Sequence, residues 1–246
     1  KPLAIGLQYK ALDDGQVQVA DVFTTDGQLQ GKKYTVLKDP KNVFGFQNVA
    51  PVVSKKAVTA EGPAFTQTLN AVSAKLTTPA MQQMNGAVDL DKNQPAAVAG
   101  KFLMANGLAV HATDGAGKPP VTIGGKNFTE QSVMAELYSQ ALQAKGYKVT
   151  VKLNIGSTEI IDKALTSGKI DLYPEYTGVL LTAVAHDTKR PASADAAYAT
   201  AKAYEEQRGF TLLDKTAFAN TDALAVKESY AKDNDLKEVG DLKKLK

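Results

Sequence analysis

Cysteine is absent from the 246 residues and histidine occurs only twice. Without cysteine there are no disulfides, thiolate nucleophiles, iron–sulfur clusters or cysteine-based zinc sites. His111 and His186 stand far apart and in no HxxxH or HExxH spacing, so a histidine metal centre or a Ser-His-Asp triad has little to build on. No cofactor or metal is expected. An excess of one charge is also lacking: 29 Lys plus Arg face 26 Asp plus Glu, a net +3, and the lysines are scattered rather than blocked. A phosphate-tracking face, and with it nucleic acid as a partner, is not indicated. No apolar run approaches the ~18 residues of a membrane span, and Lys1-Pro2-Leu3 is not the opening of a signal peptide, so an exported or lipid-anchored form would have lost its targeting part. What remains, 43% apolar and 22% charged residues, is an ordinary globular composition, long enough for one large domain or two smaller ones.

The periodicities point to an α/β protein. Val121–Gly125 reads as a strand, Asn127 as a helix cap with Glu130 as its capping-box partner, and Val133, Met134, Leu137, Tyr138, Ala141 and Leu142 as one apolar helical stripe ended by Gly146. The alternating Val149–Leu153 follows as a strand, then a helix capped by Ser157 that breaks at Gly168, then the strand Ile170–Tyr173. The segment 10–23 echoes this helix–Gly–strand pattern, which suits either two similar lobes or merely a frequent α/β arrangement. Further helices are expected at 64–76, 79–85, 95–106 and 192–208, and strands near 34–37 and 223–226. Residues 112–120, with Gly115, Gly117 and the Pro119-Pro120 pair, read as a linker.

Four segments gather aromatic and polar groups at strand ends or helix starts, where ligands of α/β folds bind: 127–131, 171–178, 219–222 and 20–27. Together they would offer ring faces to a cationic head and helix N-terminal amides to a carboxylate, which suits a small zwitterion better than covalent catalysis. Each has a plainer reading. Phe128 and Phe23 read equally as core residues; Tyr176 is the better site candidate and Tyr173 the better packing one; Asp171 and Glu175 look like a carboxylate pair but lack a partner acid or base; Asn220 and Thr221 could simply satisfy backbone groups.

The stretches GGKNFTEQ, IDLYPEYTG, FANTDALAV, IGLQYKALDDGQVQVADVFTTDG, VLKDPKNVFGFQNVAPVV and KLTTPAMQQMNGAVDLDKNQPAAVAGKFLMANGL cover most of the chain. In combination they resemble the substrate-binding proteins of ABC importers for osmoprotectants, the glycine betaine, choline and carnitine group. The resemblance implies a two-lobe periplasmic-binding-protein-like fold (type II), a small-molecule solute held between the lobes, an ABC transporter permease as partner and a periplasmic or other extracytoplasmic location, where a lipid anchor is compatible. It also implies a circularly permuted order, since the family opens with GGKNFTEQ and closes with the MNGAVDLD block. The usual ends would be joined through 112–120, with new ends at Lys1 and Lys246. The first lobe is then 33–217 and the second 1–32 plus 218–246. That second lobe, roughly 60 residues in two pieces, is small for independent stability and lacks a strand and a helix of the family; a shortened engineered chain, exchange of elements with a second chain, or an omitted insert all fit.

Carried over residue by residue, the resemblance implies ring contacts to the ligand's ammonium head from Phe128, Tyr176 and Phe23, a polar pair at Asn220 and Thr221, and further contacts from Asn127, Thr129, Thr177, Gln8, Tyr9 and Thr24. Two rings are missing: Asp222 stands where the family has Tyr, and Gln47 replaces another aromatic wall. Losing two rings at roughly 0.5–2 kcal/mol each would weaken trimethylammonium binding by one to three orders of magnitude, while Asp222 would suit a cation that carries N–H groups. Ligand contacts on both lobes would favour the closed state read by the permease. Two rivals remain in view: an enzyme on a similar scaffold, for which Asp171 with Glu175 or Asp26 with Thr24 lacks a matched base, and an engineered permuted scaffold or sensor piece.

Overall fold

The computed structural model describes residues 6–31 and 33–245; the proposed new ends, Lys1 and Lys246, lie outside the described residues. In chain order the elements are α1 (Gln8–Asp13), β1 (Ala20–Phe23), β2 (Tyr34–Val36), β3 (Val49–Ser54), α2 (Lys55–Glu61), α3 (Pro63–Ser73), α4 (Thr78–Asp89), α5 (Pro95–Ala105) and β4 (Val121–Gly124). They continue with α6 (Thr129–Ala144), β5 (Val149–Lys152), α7 (Thr158–Thr166), β6 (Leu172–Tyr176), α8 (Thr177–Val179), α9 (Ala194–Gln207), β7 (Phe210–Leu212), β8 (Asp222–Lys227) and α10 (Glu228–Asp233).

Two sheets organise the chain. The larger runs β5-β4-β6-β3-β7, with β4 parallel to β5 and β6, and β3 antiparallel to β6 and β7. The smaller is antiparallel, β1-β8-β2. Side-chain alternation sends the strands of the larger sheet into two cores. Val49, Val53, Leu172 and Tyr176 join Phe65, Leu69, Met81, Leu103, Leu137 and Tyr138 beneath α3 to α6. Ala50, Val52 and Tyr173 join Ile161 and Leu165 of α7, Ala197 and Ala201 of α9, and Leu180 and Leu181 of the π-helical turn that follows α8. Helices therefore cover both faces of this mixed sheet and bury its central strands on both sides. The smaller sheet closes its own core of Tyr9, Leu12, Val22, Leu29, Ala223 and Ala225.

The sheets are joined by the segments from β2 to β3 and from β7 to β8, which pair at the Asn48–Ala219 bridge. Asn48 Nδ2 donates to the carbonyls of Thr216 and Phe218, both at 3.1 Å. Tyr34–Val36, which a boundary at 33 puts in the first lobe, pairs with β8 and is therefore part of the smaller sheet. The expected linker is strapped down: Ala112 N and Gly115 N donate to the carbonyls of Ala144 and Lys145, at 2.8 and 2.9 Å. Gly115 lies so close to Tyr147 that a Cβ would sit 2.4 Å from its backbone nitrogen.

Two expected caps differ. Phe128, not Asn127, is the N-cap of α6, without a side-chain cap, and Glu130 turns inward instead of reaching back. Ser157 does occupy the N-cap of α7, but its hydroxyl donates to the Glu159 carboxylate at 2.6 Å.

Candidate functional site

The turn from β4 into α6 is held from below. Lys126 is 4% exposed, and its Nζ meets Glu175 Oε1 at 2.5 Å and Thr158 Oγ1 at 3.0 Å. Gln131 accepts from Lys126 N at 3.2 Å and donates to the Pro174 carbonyl at 3.0 Å, so the GGKNFTEQ and YPEYTG stretches are locked together. A buried ion pair of this kind is costly to break from one side. It fixes Tyr176 at the end of β6, whose ring is 4% exposed and lies 5.0 Å from Lys126 Nζ. Phe128 stacks on Tyr176, centroids 6.1 Å apart and planes 23° from parallel, and keeps 40% of its own surface exposed. The sequence makes a two-ring platform in which the buried ring orients the exposed one.

Glu130 sits beneath. Its Oε1 accepts from the Tyr176 hydroxyl at 2.8 Å and Asn220 Nδ2 at 2.9 Å, and its Oε2 from Asn85 Nδ2 at 2.9 Å. Burial first, then the Glu130 charge, pushes the Tyr176 hydroxyl well above the usual phenol range. Asn85 also donates to the Thr25 carbonyl at 2.9 Å, which ties α4 to the loop after β1. That seam continues through Gln82 Nε2 to the Thr24 carbonyl at 2.8 Å and Gln30 Nε2 to the Gln82 carbonyl at 2.9 Å, with Gly27 set directly against Gly86.

The remaining expected residues divide into exposed and internally bonded groups. Asn127 is exposed, and Thr129 donates to Asp89 Oδ1 at 2.6 Å. Phe23 is 37% exposed and faces Asp222 across the β1–β8 ladder. Burial, then the neighbouring Asp21 charge, raises the Asp222 carboxyl. Thr24 Oγ1 donates to the Ala219 carbonyl at 2.7 Å and accepts from Thr221 N at 3.0 Å, while Asn220 N bonds the Gln47 carbonyl. Those bonds stitch the crossing segments. Three residues expected at the ligand are turned inward. Tyr9 is 5% exposed and donates to Asp26 Oδ2 at 2.8 Å. Thr177 is fully buried, its hydroxyl donating to the Phe46 carbonyl at 3.2 Å. Gln47 Oε1 accepts from Val179 N at 3.0 Å, so its side chain serves α8 and does not stand as a wall. Gln8 accepts from Gly6 N at 2.6 Å. Asp171 and Glu175 are not a carboxylate pair, because Asp171 accepts from Thr122 N and Glu175 pairs with Lys126.

Sequence reasoning passed over Lys126 and Asn85. The one signal for the first was a lysine directly after Gly124-Gly125, where a strand end meets a helix start. Among the described residues no group of three or more His, Cys, Asp or Glu is placed to hold a metal, and no helix is long and apolar enough to cross a membrane.

A family model described as the substrate binding domain of ABC-type glycine betaine transport systems matches residues 2–105 and 119–246. The chain is 39% identical over 144 residues to a glycine-betaine-binding protein of Pseudomonas aeruginosa, covering 58% of this chain and 43% of that protein. It is 31% identical over 105 residues to the carnitine transport binding protein OpuCC of Listeria monocytogenes serotype 1/2a, covering 43% and 34% of the two chains. The matched part spans less than half the length of these curated relatives. Among solved structures, the ABC transporter substrate-binding protein CtaP of Listeria monocytogenes aligns with a TM-score of 0.46 at 10% identity, over 92% of this chain and 54% of that one. With the family match extending through both blocks that flank the strapped linker, the chain belongs to the family of substrate-binding domains of ABC-type glycine betaine transport systems.

Proposed function

We infer that the protein binds a small solute with a quaternary ammonium or related cationic head between its two sheets and delivers it to an ABC importer permease outside the cytoplasm, without transforming it. The observation that carries this reading is the Phe128–Tyr176 stack, an exposed ring backed by a buried one at 6.1 Å, since an ammonium is attracted to a ring face that is held still. Phe23, exposed on the other sheet, supplies a second ring, so that ligand contacts on both sheets would favour closure. Asn127, Asn220 and Asp222 line the same reading as polar neighbours. The division into a first lobe and a smaller second one, and the circular permutation through 112–120, belong to this proposal; the packed linker supports them. The outer edges of β1 and β2 carry no strand partner among the described residues, which is compatible with a strand donated by a second copy.

Isothermal titration with glycine betaine, choline and carnitine tests the reading. Saturable binding to at least one is expected, and Phe128→Ala should weaken it roughly 2- to 30-fold. Phe128 is the cleaner probe than Tyr176, whose removal would also uncover Glu130. Unchanged affinity in Phe128→Ala, or silence across the panel, refutes the proposal.

A further inference from the structure

The loop after β1 is a closed turn. Asp26 N donates to the Phe23 carbonyl at 2.9 Å, Asp26 Oδ2 accepts from Phe23 N at 3.1 Å, and the Tyr9 hydroxyl donates to the same oxygen at 2.8 Å. The two central carbonyls of the turn, Thr24 O and Thr25 O, accept from Gln82 Nε2 and Asn85 Nδ2 at 2.8 and 2.9 Å. Gln82 and Asn85 stand three residues apart on α4 and so share one face of that helix. α4 buries Met81 and Met84 in the core of the larger sheet, whereas the turn leads to Leu29 in the core of the smaller one. These bonds therefore join the two halves of the molecule without passing through the crossing segments.

The same helix reaches the ring pair. Asn85 Nδ2 also donates to Glu130 Oε2, and Glu130 Oε1 accepts from the hydroxyl of Tyr176, on whose ring Phe128 stacks. Phe23 thus directly precedes a residue gripped by α4, and Phe128 is held to α4 through one ring and one carboxylate. Packing alone does not account for Asn85. It is 5% exposed and its Oδ1 has no donor, an orphan that an apolar side chain would not leave. What the asparagine adds is a pair of N–H groups, and they are spent on one acceptor from each half.

We propose that Asn85 and Gln82 are positioning residues that set the spacing of Phe23 and Phe128, and with it the size of the ammonium head that the cleft accepts. This rests on the solute-binding reading above and deepens it. A gap held rigidly from both sides cannot widen for extra methylenes, whereas a loosened one can. The test is calorimetric titration of the full chain with glycine betaine, choline and carnitine, each beside its counterpart with a triethylammonium head. The trimethyl compound of any pair that binds should be preferred by at least about tenfold. Gln82→Ala and Asn85→Ala should each narrow that preference by about threefold or more, while Ser73→Ala, which removes one hydrogen bond to Tyr138 inside the larger core, should leave it unchanged. Residues that only support the fold would lower the melting temperature and leave the preference intact; that result in a Gln82→Ala protein that melts cooperatively overturns the inference, as does equal narrowing by Ser73→Ala. If Asn85→Ala does not fold, Gln82→Ala, whose side chain is only half-buried, decides against Ser73→Ala. A parent protein that binds both head sizes equally overturns the size selection and leaves solute binding standing, whereas no binding of any of the three trimethyl compounds overturns both.

Discussion

Replacing Gly27 by alanine should destabilise the protein more than any other single-methyl addition at the seam between α4 and the loop after β1. A Cβ at Gly27 would stand 2.3 Å from Gly86 Cα and 2.5 Å from Gly86 N, both backbone atoms that no rotamer change can move. The two segments would have to separate by about 1 Å to reach ordinary van der Waals contact. Separation stretches the bonds from Gln82 to Thr24 O, from Asn85 to Thr25 O and from Gln30 to Gln82 O. At about 0.5–1.5 kcal/mol net for each, their loss amounts to roughly 2–4 kcal/mol. For a protein of this length that is a fall in Tm of roughly 5–15 °C by differential scanning calorimetry, with a matching drop in urea midpoint. Gly86→Ala should cost less, because its closest contact, Gln30 Nε2 at 2.4 Å, is the end of a flexible side chain, and Gly240→Ala, with Glu238 Oε1 at 3.4 Å, should be nearly silent. A Gly27→Ala protein that melts within about 1 °C of the parent, or a ranking in which Gly240→Ala is the worst, would refute the argument.

Lys126→Met should cost roughly 3–5 kcal/mol by stranding the Glu175 charge, and the double variant Lys126→Met/Glu175→Leu should be more stable than Lys126→Met alone; urea unfolding of the three proteins checks it, and strict additivity would count against the pair. Burial raises the Glu205 carboxyl to about 7, against the opposing pull of Arg208. The folded state then holds a proton that the unfolded state releases from about pH 4.5, so this stability is fully present below that value and lost as pH rises through about 7. The loss should be up to about 2–3 kcal/mol, discounted for partial solvation, and Glu205→Gln should flatten that slope in unfolding curves taken across the window; an unchanged slope removes Glu205 as its source.

The helices were legible because their apolar spacing is regular and their ends are marked: α3, α4 and α5 each begin with proline in the first turn, and Gly146 follows α6. Strand β3 was not. Its residues are buried on both faces, so no alternation is visible, and Pro51 reads as a break although it lies opposite Pro174 in the ladder, where neither ring needs to donate. The site was half legible. Phe128 and Tyr176 were singled out together, but which one stays open to solvent depends on β6 being covered on both faces, which is a tertiary fact. Glu130 looked like a capping partner because a carboxylate three residues after Asn127 fits that pattern, and only the arrival of Asn85, Tyr176 and Asn220 from distant segments turns it inward. Lys126 was overlooked because lysine ordinarily lies at the surface. Gln47 and Thr177 are bonded where α8 begins, a local demand that a family pattern does not announce.

The position of β3 also bears on how the chain comes off the ribosome. Among the described residues Val49–Ser54 finds its strand partners in β6 and β7, which are synthesised after the linker, and the helices α3 to α5 that follow it pack against α6, also made later. The early half therefore leaves the tunnel with an unpaired apolar strand and uncovered helix faces. Its burial must wait for the late half, so contacts between distant parts of the chain set the pace of folding.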